Sequence, residues 1–234
     1  MTSPIIHRVT TLDLAVRPIV WPFAEQRRDE IAAHFAEKQR ERPRLWNGRV
    51  LLGRDAVFTA GRLAATYFET DFASFLAWRD WGFPDKTVFN GFGMGALRTS
   101  DGAFVLGEMG HHTANGGRIY FPSGTPDLDD VRDGALDIPG SVVREIAEET
   151  GLTASEFSVA PEWHCVVSGP SIAMVQILDL AMTGEVARAR IEANLAREAE
   201  PELSAIHLVR DVGDLKPSMP RFVTAFIEQQ FAAR

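Results

Sequence analysis

The densest group of side chains that could do chemistry lies in residues 144–152, which read REIAEETGL. If this segment is helical, Glu145 neighbours both Glu148 and Glu149, because residues three and four apart share a helix face. Like charges at this spacing cost roughly 0.2–0.5 kcal/mol per pair. Hard divalent cations take oxygen ligands, and Mg²⁺ in particular is held by a few carboxylates together with substrate phosphates. The run therefore predicts a metal site.

A solvated acidic helix face is the ordinary interpretation of a glutamate-rich helix. Here the order of residues decides against it, since arginine, paired glutamates and glycine at this spacing arise by chance on the order of 10⁻⁸ per starting position. The run resembles the second half of the Nudix box, the signature of Mg²⁺-dependent hydrolases that cleave nucleoside diphosphates linked to another group. The resemblance covers about residues 88–210, is specific in the second half of the box, and implies Mg²⁺ or Mn²⁺ as cofactor.

The resemblance also implies roles for the residues of the run. Glu148 and Glu149 match metal ligands of the family. Glu145 matches a position that is either a further ligand or the base that orients water. Arg144 would pair with a neighbouring glutamate and fix its rotamer, which is a supporting catalytic role.

The first half of the box departs from the family pattern. Asp130 stands where the family has a glycine, fourteen residues before the arginine, and Leu136 replaces a glutamate that supports the metal. Asp133 or Asp137 could substitute for that glutamate. Asp137 also stands where a helix N-cap is expected, with proline in the first turn, and capping is the favoured interpretation.

The segment 121–124, FPSG, is similar to the aromatic-Pro-Gly-Gly of the family but lies six residues early, so residues 128–133 are interpreted as a loop insertion. Backbone groups of Ser123 and Gly124 could then face the metal and the phosphates. A further metal-binding carboxylate often comes from a later loop in this family. Glu202, just ahead of a predicted strand, is the candidate, and Glu198 and Glu200 are alternatives. Exposure of all three side chains to solvent, without any metal, is the ordinary interpretation.

Substrate recognition needs cations for phosphate and an aromatic platform for a base. Arg98 and Arg118 are the arginine candidates for phosphate, and Trp163 is the aromatic candidate for substrate binding. Further aromatic residues near the predicted cleft are Trp46, Tyr120 and Phe121. Each of these aromatic residues is expected to be buried in the core more often than to bind a ligand.

The N-terminal part carries a second, smaller resemblance. Residues 43–48, PRLWNG, and 70–76, TDFASFL, are similar to a Nudix subgroup with an N-terminal domain that hydrolyses UDP-sugars to UMP and sugar phosphate. In that subgroup the N-terminal domain can wall one side of the nucleotide pocket.

Composition narrows the class of protein. The chain has 234 residues, a net charge of −8 and one cysteine, Cys165. The negative charge argues against nucleic acid or anionic membrane as partner, because both attract an excess of Lys and Arg. One cysteine excludes an internal disulfide framework. No signal-peptide pattern or membrane-length apolar run is present, so we expect a cytoplasmic protein whose partner is a small molecule. Many Nudix proteins form homodimers, which makes that oligomeric state an expectation here.

The pattern of elements predicts an α/β (α+β) fold, a Nudix-type α/β/α sandwich with a mixed sheet. We expect an N-terminal α/β extension over residues 1–85 and a Nudix domain over residues 86–234. Strands are predicted at 5–9, 12–20, 45–52, 56–67, 88–99, 103–109, 118–122, 159–167, 172–181 and 205–210, and helices at 24–40, 70–81, 138–150, 185–199 and 221–232.

Two functions remain open on the sequence alone. The first is a metal-dependent pyrophosphohydrolase acting on a nucleoside diphosphate derivative, such as an NDP-sugar like UDP-glucose or an ADP-ribose-like compound. The second is a Nudix module that binds such a nucleotide without cleaving it. Leu136 and the loop insertion favour binding alone, whereas the three retained glutamates favour hydrolysis.

Overall fold

Eleven β-strands and six α-helices form within residues 3–233, the part of the chain that the computed structural model describes. Their order is β1 (Ile5–Val16), α1 (Pro22–Gln26), α2 (Arg28–Glu41), β2 (Arg49–Thr59), β3 (Gly61–Asp71), α3 (Phe72–Asp80), β4 (Val88–Arg98), β5 (Phe104–Met109), β6 (Ile119–Tyr120), β7 (Val131–Arg132), β8 (Ala135–Leu136), α4 (Ile138–Thr150), β9 (Phe157–Ser168), β10 (Ser171–Leu180), α5 (Gly184–Leu195), β11 (Leu203–Val209) and α6 (Arg221–Ala232). Among these residues no helix combines the length and the apolar character needed to cross a membrane.

All of the strands belong to one mixed sheet. Its main path runs β10-β9-β1-β3-β2-β4-β5-β11, and β10 also pairs with β4, so the pairings of six strands close into a ring. The β1–β3 and β4–β10 pairs are parallel, and the other pairs along this path are antiparallel.

Helices cover both faces of the sheet next to β4. Successive side chains of a strand point to opposite faces. On one face, a Cβ at Gly93 would lie 2.6 Å from the Val142 side chain, so α4 packs directly on the β4 backbone. On the other face, the ring of Phe92 contacts that of Phe222 in α6 with centroids 5.5 Å apart. The predicted α/β class and the layered arrangement are confirmed.

The N-terminal extension shares this sheet. Strand β1 pairs with β9, and β2 pairs with β4. Val9 and Leu14 belong to the main core, whereas helices α1 to α3 surround a smaller core that includes Trp21, Phe35 and Trp78. The extension therefore contributes both to the common sheet and to a core of its own. A domain boundary near residue 85 stays a prediction.

Four predicted elements are joined or interrupted in the structure. The two predicted strands 5–9 and 12–20 are one strand, β1, which keeps its pairing with β3 across an irregularity near Thr10. The predicted helix 24–40 breaks at Arg27, and the two resulting helices bury Phe23 and Ile31 in the same small core. The predicted strand 56–67 crosses a hairpin turn, where Gly61 takes a positive φ of 74°. Side-chain periodicity does not reveal such interruptions, because they depend on packing partners far along the chain.

Candidate metal and phosphate site

Helix α4 carries the acidic run and has well-defined ends. The Asp137 side chain accepts a hydrogen bond from the Gly140 N–H at 3.0 Å, which caps the helix N-terminus. Gly151 ends the helix in the left-handed conformation with φ 69°. A residue in this conformation is usually glycine, because a Cβ is disfavoured there. Both ends agree with the prediction, and Asp137 acts as the helix cap, which was its favoured interpretation.

Of the three motif glutamates, Glu149 is buried and Glu145 is half-buried. Glu149 is only 3% exposed, and it accepts a hydrogen bond from the Ser123 N–H at 3.0 Å. Burial raises the pKa of Glu149 well above its usual value, against the Ser123 hydrogen bond, and the charges of Glu202, Glu145 and Glu148 add to the rise. Burial likewise raises the pKa of Glu145 to about 7, although the adjacent Arg144 opposes the shift.

The segment Ser123–Gly124 lies directly against these carboxylates. A Cβ at Gly124 would stand 2.3 Å from Oε1 of Glu145, so any larger residue here would displace the Glu145 carboxylate from its present position. The loop follows the buried Phe121, and Gly95 of β4 donates to the Pro122 carbonyl at 3.2 Å. The sheet thus fixes the loop beside α4.

Arg144 joins three carboxylates. Its guanidinium contacts Asp130 at 2.8 Å, Glu145 at 3.0 Å and Glu148 at 3.4 Å. The sequence predicts the pairing with neighbouring glutamates but not the contact with Asp130. Asp130 is 3% exposed and forms a reciprocal capping box with Asp127. The Asp-x-x-Asp spacing at 127–130 is the sequence feature that could have indicated it.

The fourth predicted ligand, Glu202, comes from the loop that precedes β11. Its charge contributes to the raised pKa of Glu149, which places the two carboxylates within electrostatic range of each other. The alternatives are engaged elsewhere, because Glu198 accepts a hydrogen bond from Asn194 and Glu200 pairs with Arg44. Asp133 is exposed in the β7–β8 turn.

The donor set fits a hard cation in its chemistry, because Glu145, Glu148, Glu149 and Glu202 offer only carboxylate oxygens. As placed, however, no three His, Cys, Asp or Glu side chains within residues 3–233 stand close enough together to hold a metal ion. Arg144 draws Glu145 and Glu148 toward itself instead. Glutamate side chains turn about several single bonds, so binding of a cation by these residues would involve changes of their rotamers. The metal site remains a prediction.

A cleft of about 710 Å³ opens beside the acidic helix. Ser123, Gly124 and Glu202 line it at the carboxylate end, and Arg118 and Tyr120 line a side wall. The cleft is also bordered by residues of the extension, namely Phe72, Phe75, Arg79, Asp80 and Phe83. The size suits a nucleotide-sized ligand. The extension thus forms one wall of the cleft, the place that the second resemblance implied for it.

Two predicted substrate-binding residues lie away from this cleft. Arg98 is held by Asp179 through two hydrogen bonds of 2.6 and 2.9 Å, so its charge is already paired. Trp163 is 4% exposed and belongs to the main core. Of the other aromatic candidates, Phe121 is fully buried and Trp46 is 81% exposed outside the cleft lining. Strand alternation alone does not tell which of two buried faces borders a cleft.

Comparisons with known proteins give structural matches only. No family model matches the chain, and no curated protein matches it. A Nudix hydrolase from M. smegmatis is 17% identical with a TM-score of 0.37, over 61% of this chain and 83% of that chain. An Ap4A hydrolase from C. elegans is 12% identical with a TM-score of 0.40, over 61% and 96%. A Nudix hydrolase from Nitrosomonas europaea is 14% identical with a TM-score of 0.36, over 62% and 90%.

Proposed function

We propose that the chain is a hydrolase dependent on Mg²⁺ or Mn²⁺ that cleaves the diphosphate of a nucleoside diphosphate linked to another group. The products would be a nucleoside monophosphate and a phosphorylated compound, with an NDP-sugar or an ADP-ribose-like molecule as substrate. One observation carries the proposal: Glu149 is buried and Glu145 half-buried against the Ser123–Gly124 backbone, which itself lines a cleft of about 710 Å³. Isolated buried carboxylates are costly, so their placement at a cleft favours a role in binding a cation.

Glu148 and Glu149 would hold the metal, together with Glu202 or Glu145. A bound divalent cation neutralises charge on the diphosphate oxygens and lowers the pKa of water. In the hydrolysis, the water oxygen forms a new bond to phosphorus, the bridging P–O bond breaks, and the departing phosphate keeps the electron pair.

Glu145 is the group of this chain suited to take the proton of the water. Its pKa is raised to about 7, chiefly by burial, so it can exchange a proton near neutral pH. Arg144 contacts Glu145 at 3.0 Å and would position its carboxylate. Arg118 lines the cleft and would bind a phosphate oxygen.

The test is cleavage of the phosphoanhydride linkage in a panel of NDP-sugars, ADP-ribose, dinucleoside polyphosphates, coenzyme A and NADH. Each compound is assayed with Mg²⁺, with Mn²⁺ and with EDTA. We expect turnover that EDTA abolishes and that Glu149→Gln reduces at least 100-fold, since the change removes charge and keeps shape. Turnover that persists in EDTA, or in the Glu149→Gln variant, would refute the metal assignment.

A nucleotide-binding module without activity is the second candidate, because Leu136 is buried where the family has an acid and the carboxylates do not converge as placed. This candidate would be supported if one compound of the panel raised the thermal stability of the chain while no compound was turned over.

Light scattering would test the homodimer that the family resemblance implies.

A further inference from the structure

The half-buried Asn90 has an unmet hydrogen-bond acceptor in the lining of the cleft. Its side-chain Oδ1 is shielded from water and has no hydrogen-bond partner among the described residues. A buried polar atom without a partner costs roughly 1–3 kcal/mol, and most such atoms in folded proteins are paired. Rotation of the amide about the Cβ–Cγ bond would turn Oδ1 toward the cleft, where a ligand could supply the missing partner.

The surroundings of Asn90 indicate the shape of that ligand. Asn90 and Phe92 lie two residues apart on β4 and so point to the same side of the sheet. Phe92 contacts Phe222 of α6 at 5.5 Å, with the rings inclined by 74°. Ser171 of β10 is the register partner of Asn90 and lines the same cleft. This part of the cleft lining is therefore aromatic, with the polar side chains of Asn90 and Ser171 on neighbouring strands.

Helix α3 of the extension lines the same cleft. Its residues Phe72, Phe75 and Arg79 are spaced by three and four residues, which places them on one helix face. Together with Asn90 and Phe92 they make up what we call the far end of the cleft, a lining that combines aromatic rings with an amide. A planar ring with hydrogen-bonding groups on its edge fits this arrangement, because base–aromatic stacking tolerates any base while an amide distinguishes edges.

We propose that Asn90 is the specificity-determining residue of the cleft and reads the edge of a nucleobase held among the phenylalanines of the far end. An asparagine amide offers an acceptor beside donors and pairs with an edge that carries a donor next to an acceptor. The inference rests on the proposed function only in taking a nucleotide as the ligand. It needs neither the metal nor cleavage.

Binding without catalysis is the direct test. The affinities of AMP, UMP, CMP and GMP are compared with that of ribose 5-phosphate by calorimetry in EDTA. We expect at least one monophosphate to bind tenfold or more tightly than the base-free compound. If none does, no base is recognised and the proposal is refuted.

The variant Asn90→Asp tests the role of the amide. Aspartate keeps the shape but offers acceptors only, so it pairs best with the two adjacent donors of guanine, N1–H and N2–H. We expect tenfold or greater weakening for AMP, UMP and CMP and a smaller loss for GMP. Asn115→Asp is the matched control, because Asn115 lines the same cleft but its amide already donates to Tyr120 at 3.2 Å. The control should weaken all four monophosphates alike through its negative charge.

Equal effects of the two variants on all four nucleotides would overturn the assignment to Asn90. Thermal unfolding of each variant separates loss of recognition from loss of folding, and Asn90→Ser provides a second substitution. We expect Asn90→Ser to remain folded and to lose base discrimination. A folded Asn90→Ser variant that still discriminates between bases would refute the proposal. Hydrolysis of the substrate panel by the unaltered protein is scored separately. Base discrimination without hydrolysis would reject the proposed function and support the role of Asn90. Hydrolysis with a base preference that Asn90→Asp leaves unchanged would support the proposed function and reject the role of Asn90.

Discussion

At the scale of single residues, Leu136 has a packing role at a position where the family resemblance implies a polar one. The family resemblance places a metal-supporting glutamate here, but Leu136 is 6% exposed and packs in the main core. The nearby acid that contacts Arg144 is Asp130 instead, at 2.8 Å. The loop before α4 thus keeps a carboxylate beside the arginine while it buries a leucine.

Leu136→Glu should destabilise the protein without improving turnover. A glutamate at this site would bury an unpaired charge, which costs about 3 kcal/mol. Urea unfolding measures the loss, and Leu136→Met, which conserves volume, should stay within about 1.5 kcal/mol of the unaltered protein. A stable Leu136→Glu variant with higher turnover would show that the acid of the family can be restored at this position.

Gly124→Ala should separate activity from stability. The added methyl group would stand 2.3 Å from Oε1 of Glu145, the mobile end of a side chain, so Glu145 is expected to move while the fold remains. We expect turnover to fall at least tenfold, since small misplacements of reacting groups are costly, with stability changed by less than about 1 kcal/mol. Ser123→Ala is the control, because only the backbone N–H of Ser123 binds Glu149. Unchanged turnover in Gly124→Ala would remove Glu145 from the mechanism.

At the scale of elements, α6 is held to β9 through a buried histidine. His164 of β9 is 5% exposed, and its ring contacts that of Phe226 at 5.3 Å. Burial lowers the pKa of His164 first, and the charge of Arg8 lowers it further. The packing of α6 therefore depends on a neutral imidazole.

This packing predicts a pH-dependent stability. Because the pKa of His164 is lower in the folded chain than in the unfolded chain, near 6.5, its stabilising contribution is complete above pH 6.5. The contribution is lost as the pH falls below 6.5 through the folded pKa. Urea unfolding at pH 8 and pH 5 should show a larger loss for the unaltered protein than for His164→Gln, which does not titrate. The exposed His111→Gln serves as control and should behave like the unaltered protein; equal losses in all three proteins would contradict the prediction.

At the scale of the whole molecule, the extension holds the loop that precedes the acidic helix. Leu51 of β2 donates to the Pro126 carbonyl at 2.8 Å, and Val16 of β1 donates to the Gly134 carbonyl at 2.8 Å. These bonds fix the loop near both its ends, between Gly124 and α4. The extension thus supports the carboxylate end of the cleft as well as walling its far end.

Residues 86–234 expressed alone are therefore expected not to fold cooperatively. Without β1 and β2, strand β9 loses an antiparallel partner and β4 loses a neighbour, and their backbone groups are left unpaired. Circular dichroism during heating should show no sharp transition, in contrast to the full chain. A cooperative transition together with a dispersed NMR spectrum would establish a domain boundary at residue 85.

The sequence by itself determined the acidic helix and its ends. Asp137, the run of glutamates and Gly151 act through contacts within a few residues, so local rules predict α4 from 138 to 150. The same holds for the hairpin of β4 and β5, for α6, and for the α/β class, since each follows from local turn residues and side-chain periodicity.

Only the tertiary structure decided which side chains meet. Asp130 contacts Arg144, Arg98 pairs with Asp179, and Asn90 lines one cleft together with α3, because strands distant in sequence pair in one sheet. Periodicity shows that a strand has two faces, but when helices cover both it does not show which face borders a cleft. For that reason the glutamates could be named from the sequence, whereas the residue that we propose reads the base could not.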